Sequence, residues 1–85
     1  METVQILNRF IVDELVPEYN LGHLDENQSL FETGVLDSMG ILKLIAFIEE
    51  KFKIRVGDEE EIPENFETLL SMAQMISRMQ KTASS

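Results

Sequence analysis

Apolar residues recur at helical spacing in three stretches of this chain. From Thr3 to about Val16 they fall at Val4, Leu7, Ile11 and Leu15, with Phe10 beside them, which puts them on one helix face. Pro17 is costly inside a helix, so this first helix is expected to end near Leu15 or Val16. A second helix is expected from about Ser38 to Phe52. Ile41, Leu44, Ile45, Ile48 and Phe52 share its core face, Met39, Lys43, Ala46 and Glu50 form an outward stripe, and Phe47 sits at the margin. A last helix follows Pro63, with Asn65 as its cap and Glu67 in its first turn. Phe66, Leu69, Leu70, Ala73 and Ile76 make its buried face, which Met72, Met75 and Met79 widen.

The segments between these helices are less periodic. Tyr19, Asn20, Leu21 and Gly22 read as an exit turn, with Gly22 free to take a left-handed conformation. Residues 20–37 form a long connection, and such loops are usually functional or pinned by their own apolar anchors. Leu21, Leu24, Leu30, Phe31, Val35 and Leu36 supply the anchors, Asp25, Glu26 and Glu32 face outward, and a short helical turn is expected from Ser29 to Thr33. Lys53-Ile54-Arg55-Val56 alternates like a strand but has no partner strand. It is therefore read as an extended connector, broken at Gly57, with Ile54 and Val56 turned inward. A short third helix is expected around Glu59 to Ile62. The sum is an all-α fold: a small four-helix bundle of three main helices and one short one, with a long loop between the first and second. Residues 1–80 are expected to form a single domain, and the polar tail 81–85 to fray.

Composition narrows the function. The 85 residues contain no cysteine and one histidine, which removes disulfides, thiolate metal sites, a cysteine nucleophile and most catalytic triads. Sixteen acids against seven bases give a formal charge of −9. Such a surface repels nucleic-acid backbones and anionic membranes and suits partners with basic patches. The N-terminal sequence METVQILNRF lacks the order of a signal peptide, and no apolar run is long enough to span a bilayer, so a cytoplasmic location is expected. The acid run Asp58 to Glu61 lacks the ligand spacing of a calcium loop and reads as a solvated helix start, so no metal site is assigned.

The strongest chemical signal lies at Gly34-Val35-Leu36-Asp37-Ser38-Met39, which runs directly into the second helix. Asp37 is a good N-cap, and Ser38 then stands first in the helix, where the dipole favours an attached phosphate. A nucleophilic serine needs a base and oxyanion donors. The chain offers only His23, in the long loop, and the G-x-S-x-G elbow is missing. From the residues alone, Ser38 is first a helix-starting residue.

The stretch FETGVLDSMGILKLIAFIEEKFKIRV resembles the motif region of the acyl and peptidyl carrier proteins. Their signature is a D-S-L tripeptide after a glycine and before an amphipathic helix. IPENFETLLSMAQMI is similar to the last helix of many carriers, so the resemblance runs from about Val4 to Met79. It implies that Ser38 is the attachment point of 4′-phosphopantetheine derived from coenzyme A, with Asp37 beside it as the cap. It further implies a stand-alone, monomeric carrier and not an enzyme. A phosphopantetheinyl transferase would modify it, and an acyl or aminoacyl ligase, synthase or transferase would use it. The cargo would be a thioester in a fatty-acid, polyketide or nonribosomal-peptide type pathway. Leu36, Met39, Lys43, Ala46 and Glu50 are the implied partner-docking positions. Met39 replaces the leucine of the tripeptide, and D-S-M is similar to the motif of D-alanyl carrier proteins. Gly40 and Lys43 occupy positions where fatty-acid carriers usually have acids, which favours a specialised carrier. The competing reading is an acidic helical interaction module that never carries the arm. Only the carrier requires the Ser38 hydroxyl.

Overall fold

The computed structural model of the chain describes residues 2–19 and 22–84. Helix α1 spans Glu2–Phe10 and continues through one π turn, Ile11–Leu15. The Val16 amide closes that turn by donating to the Ile11 carbonyl at 2.9 Å. The turn ends immediately before Pro17, as the sequence predicts, and a single 3₁₀ turn follows over Pro17–Tyr19. Val4, Leu7 and Ile11 of this helix are buried, and Leu15 is half-buried. The exit turn expected at Tyr19 to Gly22 includes Asn20 and Leu21, which lie outside the described residues, as does the expected anchor Leu21.

Helix α2 runs from Ser38 to Phe52, the bounds that the periodicity predicts. It stops because Lys53 takes a left-handed conformation (φ 57°, ψ 45°), a common way to end a helix but one that favours glycine. The connector after it is extended, with Val56 buried and Ile54 half-buried. It is tied back to α2 by the Val56 amide, which donates to the Glu49 carboxylate at 2.8 Å.

The second half of the chain departs from the sequence reading. The acid run forms only a 3₁₀ turn, Asp58–Glu60. The short helix begins later, as α3, Pro63–Phe66, because proline is tolerated in the first helical turn, where its missing N–H has no intrahelical partner in any case. Asn65 therefore lies inside α3 and does not cap the last helix. Helix α4 spans Leu69–Ser84, and Thr68 and Ser71 cap it. The Ser71 amide donates to Thr68 Oγ1 at 3.0 Å, and the Thr68 amide donates to Ser71 Oγ at 3.1 Å. This reciprocal pair satisfies orphan donors at the helix start. Leu70 is half-buried and not part of the deepest face. The helix extends to Ser84, with no glycine or proline after Pro63 to end it earlier.

The four helices enclose one apolar core. Leu7, Ile11, Leu44, Ile48, Phe66, Leu69 and Ile76 are excluded from solvent, and Met72 and Met75 fill it from α4. No buried polar side chain is found among the described residues. The Phe10 and Phe47 rings stack at 4.1 Å with 14° between their planes, joining α1 to α2 at the edge of the core. No helix among the described residues is long and apolar enough to cross a membrane.

Candidate functional site

The loop ahead of α2 is tied through hydrogen bonds both to α1 and to the segment where α3 gives way to α4. The Leu24 amide donates to Asn8 Oδ1 on α1 at 2.9 Å. On the other side, the Leu30 amide donates to the Glu67 carbonyl at 2.7 Å and the Leu70 amide to the Glu26 carbonyl at 3.1 Å. The loop thus supplies partners at the break between α3 and α4. Leu24, Leu30, Val35 and Leu36 are buried, and Phe31 packs half-buried against the core. A single turn over Ser29–Thr33, closed by the Thr33 amide on the Ser29 carbonyl at 3.3 Å, precedes Gly34. Gly34 has φ +79°, a conformation that costs a side-chain-bearing residue energy. From there the chain turns inward, and the Leu36 amide donates to the Leu30 carbonyl at 3.0 Å.

This pinned loop delivers the start of α2. Asp37 is extended (φ −129°, ψ −173°), and its Oδ1 accepts the Gly40 amide at 2.8 Å. The first intrahelical bond runs from the Ile41 amide to the Asp37 carbonyl at 2.9 Å. The amides of Ser38 and Met39 are thereby left for a further acceptor at the positive end of the helix. Ser38 is exposed, and among the described residues its hydroxyl joins no hydrogen bond. An exposed hydroxyl with no competing protein partner, beside two open amides, suits an esterified phosphate.

His23 is exposed and lies in a depression lined by Gly22 and by α1 residues including Glu2, Asn8 and Arg9. Helix α2, which carries Ser38, contributes nothing to that lining. The arrangement gives no support to a serine nucleophile activated by His23.

The outward stripe is present at all four of its positions. Met39 is 64% exposed, and Lys43, Ala46 and Glu50 are exposed too. Leu36, expected both as a loop anchor and as a docking position, is 3% exposed and belongs to the core, because the loop folds it under the first turn of α2. This fits the anchor and corrects the docking position. Leu42 was not singled out from the sequence, yet it is 61% exposed. It lies one helical turn beyond Met39, and its deviation from the core spacing was the available signal. Gly40 was read only as a diluted docking position. It is buried, and a Cβ there would lie 3.0 Å from Leu36 Cδ1, 3.4 Å from Asp37 Oδ1 and 3.6 Å from Leu15 Cδ2.

The family model described as "Phosphopantetheine attachment site" matches residues 12–76, and the chain belongs to that family. The group that this family carries is a covalently attached 4′-phosphopantetheine. Similar curated proteins include the "Probable acyl carrier protein PigG" of Serratia sp., 36% identical over 66% of this chain and 64% of that protein. The "D-alanyl carrier protein" of Streptococcus gordonii is 48% identical over 59% of this chain and 61% of that protein. That of Streptococcus thermophilus matches to the same extent. The matches therefore span somewhat under two thirds of these relatives. They are named as carriers, a class of protein that is not itself enzymatic. Among solved structures, a chain of "Crystal structure of FAD-dependent dehydrogenase" superposes with a TM-score of 0.64 at 27% identity, covering 87% of this chain and 97% of that chain.

Proposed function

We propose that this protein is an aminoacyl carrier whose 4′-phosphopantetheine is attached to Ser38. The observation that carries the reading is the exposed, unpartnered Ser38 hydroxyl at the first position of a helix capped by Asp37. The likeness to D-alanyl carrier proteins supports an amino acid over a long fatty acyl chain as cargo. When bound, the arm supplies the thiol that a chain without cysteine lacks. The protein's own residues do the rest. Asp37 fixes the helix start, the first-turn amides face the phosphate position, and the side chains around Ser38 meet partners. Met39 and Leu42 offer the apolar part of that surface, and Lys43, Ala46 and Glu50 complete it. The partners are a phosphopantetheinyl transferase and an aminoacyl ligase, met by a monomer in the cytoplasm through weak docking steered by charge.

Intact mass after incubation with coenzyme A, magnesium and a promiscuous transferase tests this. A gain of one phosphopantetheine in the wild type and none in Ser38→Ala is the expected result. Holo protein is then offered amino acids and fatty acids with the matching ligases, and loading by amino acids alone is expected. Absence of any gain with several transferases would overturn the carrier reading in favour of a non-covalent interaction module. Loading by fatty acids alone would overturn the cargo.

A further inference from the structure

Gly40 is the one fully buried residue of the first turn of α2, and what surrounds it links the core to Ser38. Its amide donates to Asp37 Oδ1 at 2.8 Å. The space where its side chain would project is bounded by Leu36 from the loop, Asp37 from the cap and Leu15 from the π turn. Leu36 and Asp37 are the two residues that lead directly into Ser38. A Cβ at 3.0 Å from Leu36 Cδ1 is tighter than nearly all such contacts, so a methyl group there requires Leu36 to give by a few tenths of an ångström. Leu36 is buried and its amide is bound to the Leu30 carbonyl, so the displacement cannot be absorbed by swinging into solvent.

We propose that Gly40 is a positioning residue for Ser38. Its missing side chain lets the first turn of α2 seat against Leu36 and Leu15, and this seating sets where the serine hydroxyl is offered to the transferase. The inference rests on the reading of Ser38 as the attachment point. Gly40 itself touches none of the reacting atoms and acts through the Leu36-Asp37 backbone. Alanine is the better helix former, so Gly40→Ala separates the two roles of the position. A glycine needed only for folding would show its effect in stability. A glycine needed for placement shows it in transfer rate, since small misplacements of a reacting group are costly in rate.

The experiment measures phosphopantetheinylation rates by intact mass for wild type, Gly40→Ala, Leu36→Val and the double variant, with thermal melting of each. Leu36→Val removes the atom that the new methyl would strike. The expected result is a kcat/KM about tenfold lower for Gly40→Ala, a melting temperature no lower than that of the wild type, and recovery of rate in the double variant. Equal rates for wild type and Gly40→Ala would overturn the proposal. So would a slow Gly40→Ala that Leu36→Val does not rescue. A wild type that is never modified would instead overturn the assignment of Ser38, so the two failures are distinguishable.

Discussion

At the scale of single residues, Asp37 connects loop and helix most directly. Its carboxylate satisfies an amide of the first turn, and its neighbour is the exposed Ser38. Asp37→Ala is therefore expected to cost about 1 kcal/mol, the usual loss for an N-cap, and Asp37→Asn much less, because asparagine caps equally well. Urea denaturation of the two variants checks this, and equal losses would show that charge matters more than the cap bond. Ser38 and Asp37 were legible from sequence because capping depends on a few adjacent residues. Leu36 was legible only in part, since it suits both a loop anchor and a docking position. It lies in a loop with no period to decide between the two, and the structure buries it with its amide bound to the Leu30 carbonyl. Gly40 was hidden, since a glycine within a helix states nothing about which neighbours need its empty space.

Legibility at the scale of elements follows the length of the periodic run. Helix α2 has fifteen residues and a full apolar face, so both of its ends were readable. The third helix has four residues, too few for a period. Its place was decided by Pro63 starting a turn where proline was expected only to separate. The cap of α4 was misassigned to Asn65 because asparagine also suits that role. The reciprocal bonds of Thr68 and Ser71 settle it, and Asn65 instead donates from Nδ2 to the Glu60 carbonyl at 2.8 Å. The C-terminus of α2 carries a local conflict, a lysine at φ 57°. Lys53→Gly removes a left-handed strain of about 1 kcal/mol and loses about 0.3 kcal/mol of favourable charge at the helix end. A net gain in stability of several tenths of a kcal/mol is expected in chemical denaturation. A loss would mean that the lysine side chain contributes more than its backbone costs.

Across the whole molecule, charge is unevenly placed. Residues 38–57 hold four of the seven bases (Lys43, Lys51, Lys53, Arg55) and two of the sixteen acids (Glu49, Glu50), a net +2, so the remainder carries −11. The helix that bears Ser38 and its connector thus form the less acidic part of a strongly acidic protein, which sets this surface apart from the acid-rich one expected of fatty-acid carriers. Elsewhere the acids repel one another, most densely at Asp58 to Glu61, where Glu59 and Glu61 are both exposed. Added salt shortens the range of that repulsion to about 10 Å at 0.1 M and less above it, so the melting temperature is expected to rise with sodium chloride. Replacing Glu59 and Glu61 together by glutamine should raise the melting temperature by a few degrees at low salt, since about 1 kcal/mol is worth roughly 4–8 °C in a domain of this size. The curves of variant and wild type should then converge as salt increases. Convergence is the decisive feature, because a lost or gained contact would separate the curves at every salt concentration, whereas relief of long-range repulsion disappears once the solvent screens it. Parallel curves would show that the acid run acts through local structure and that the −9 charge is too dispersed to strain the fold.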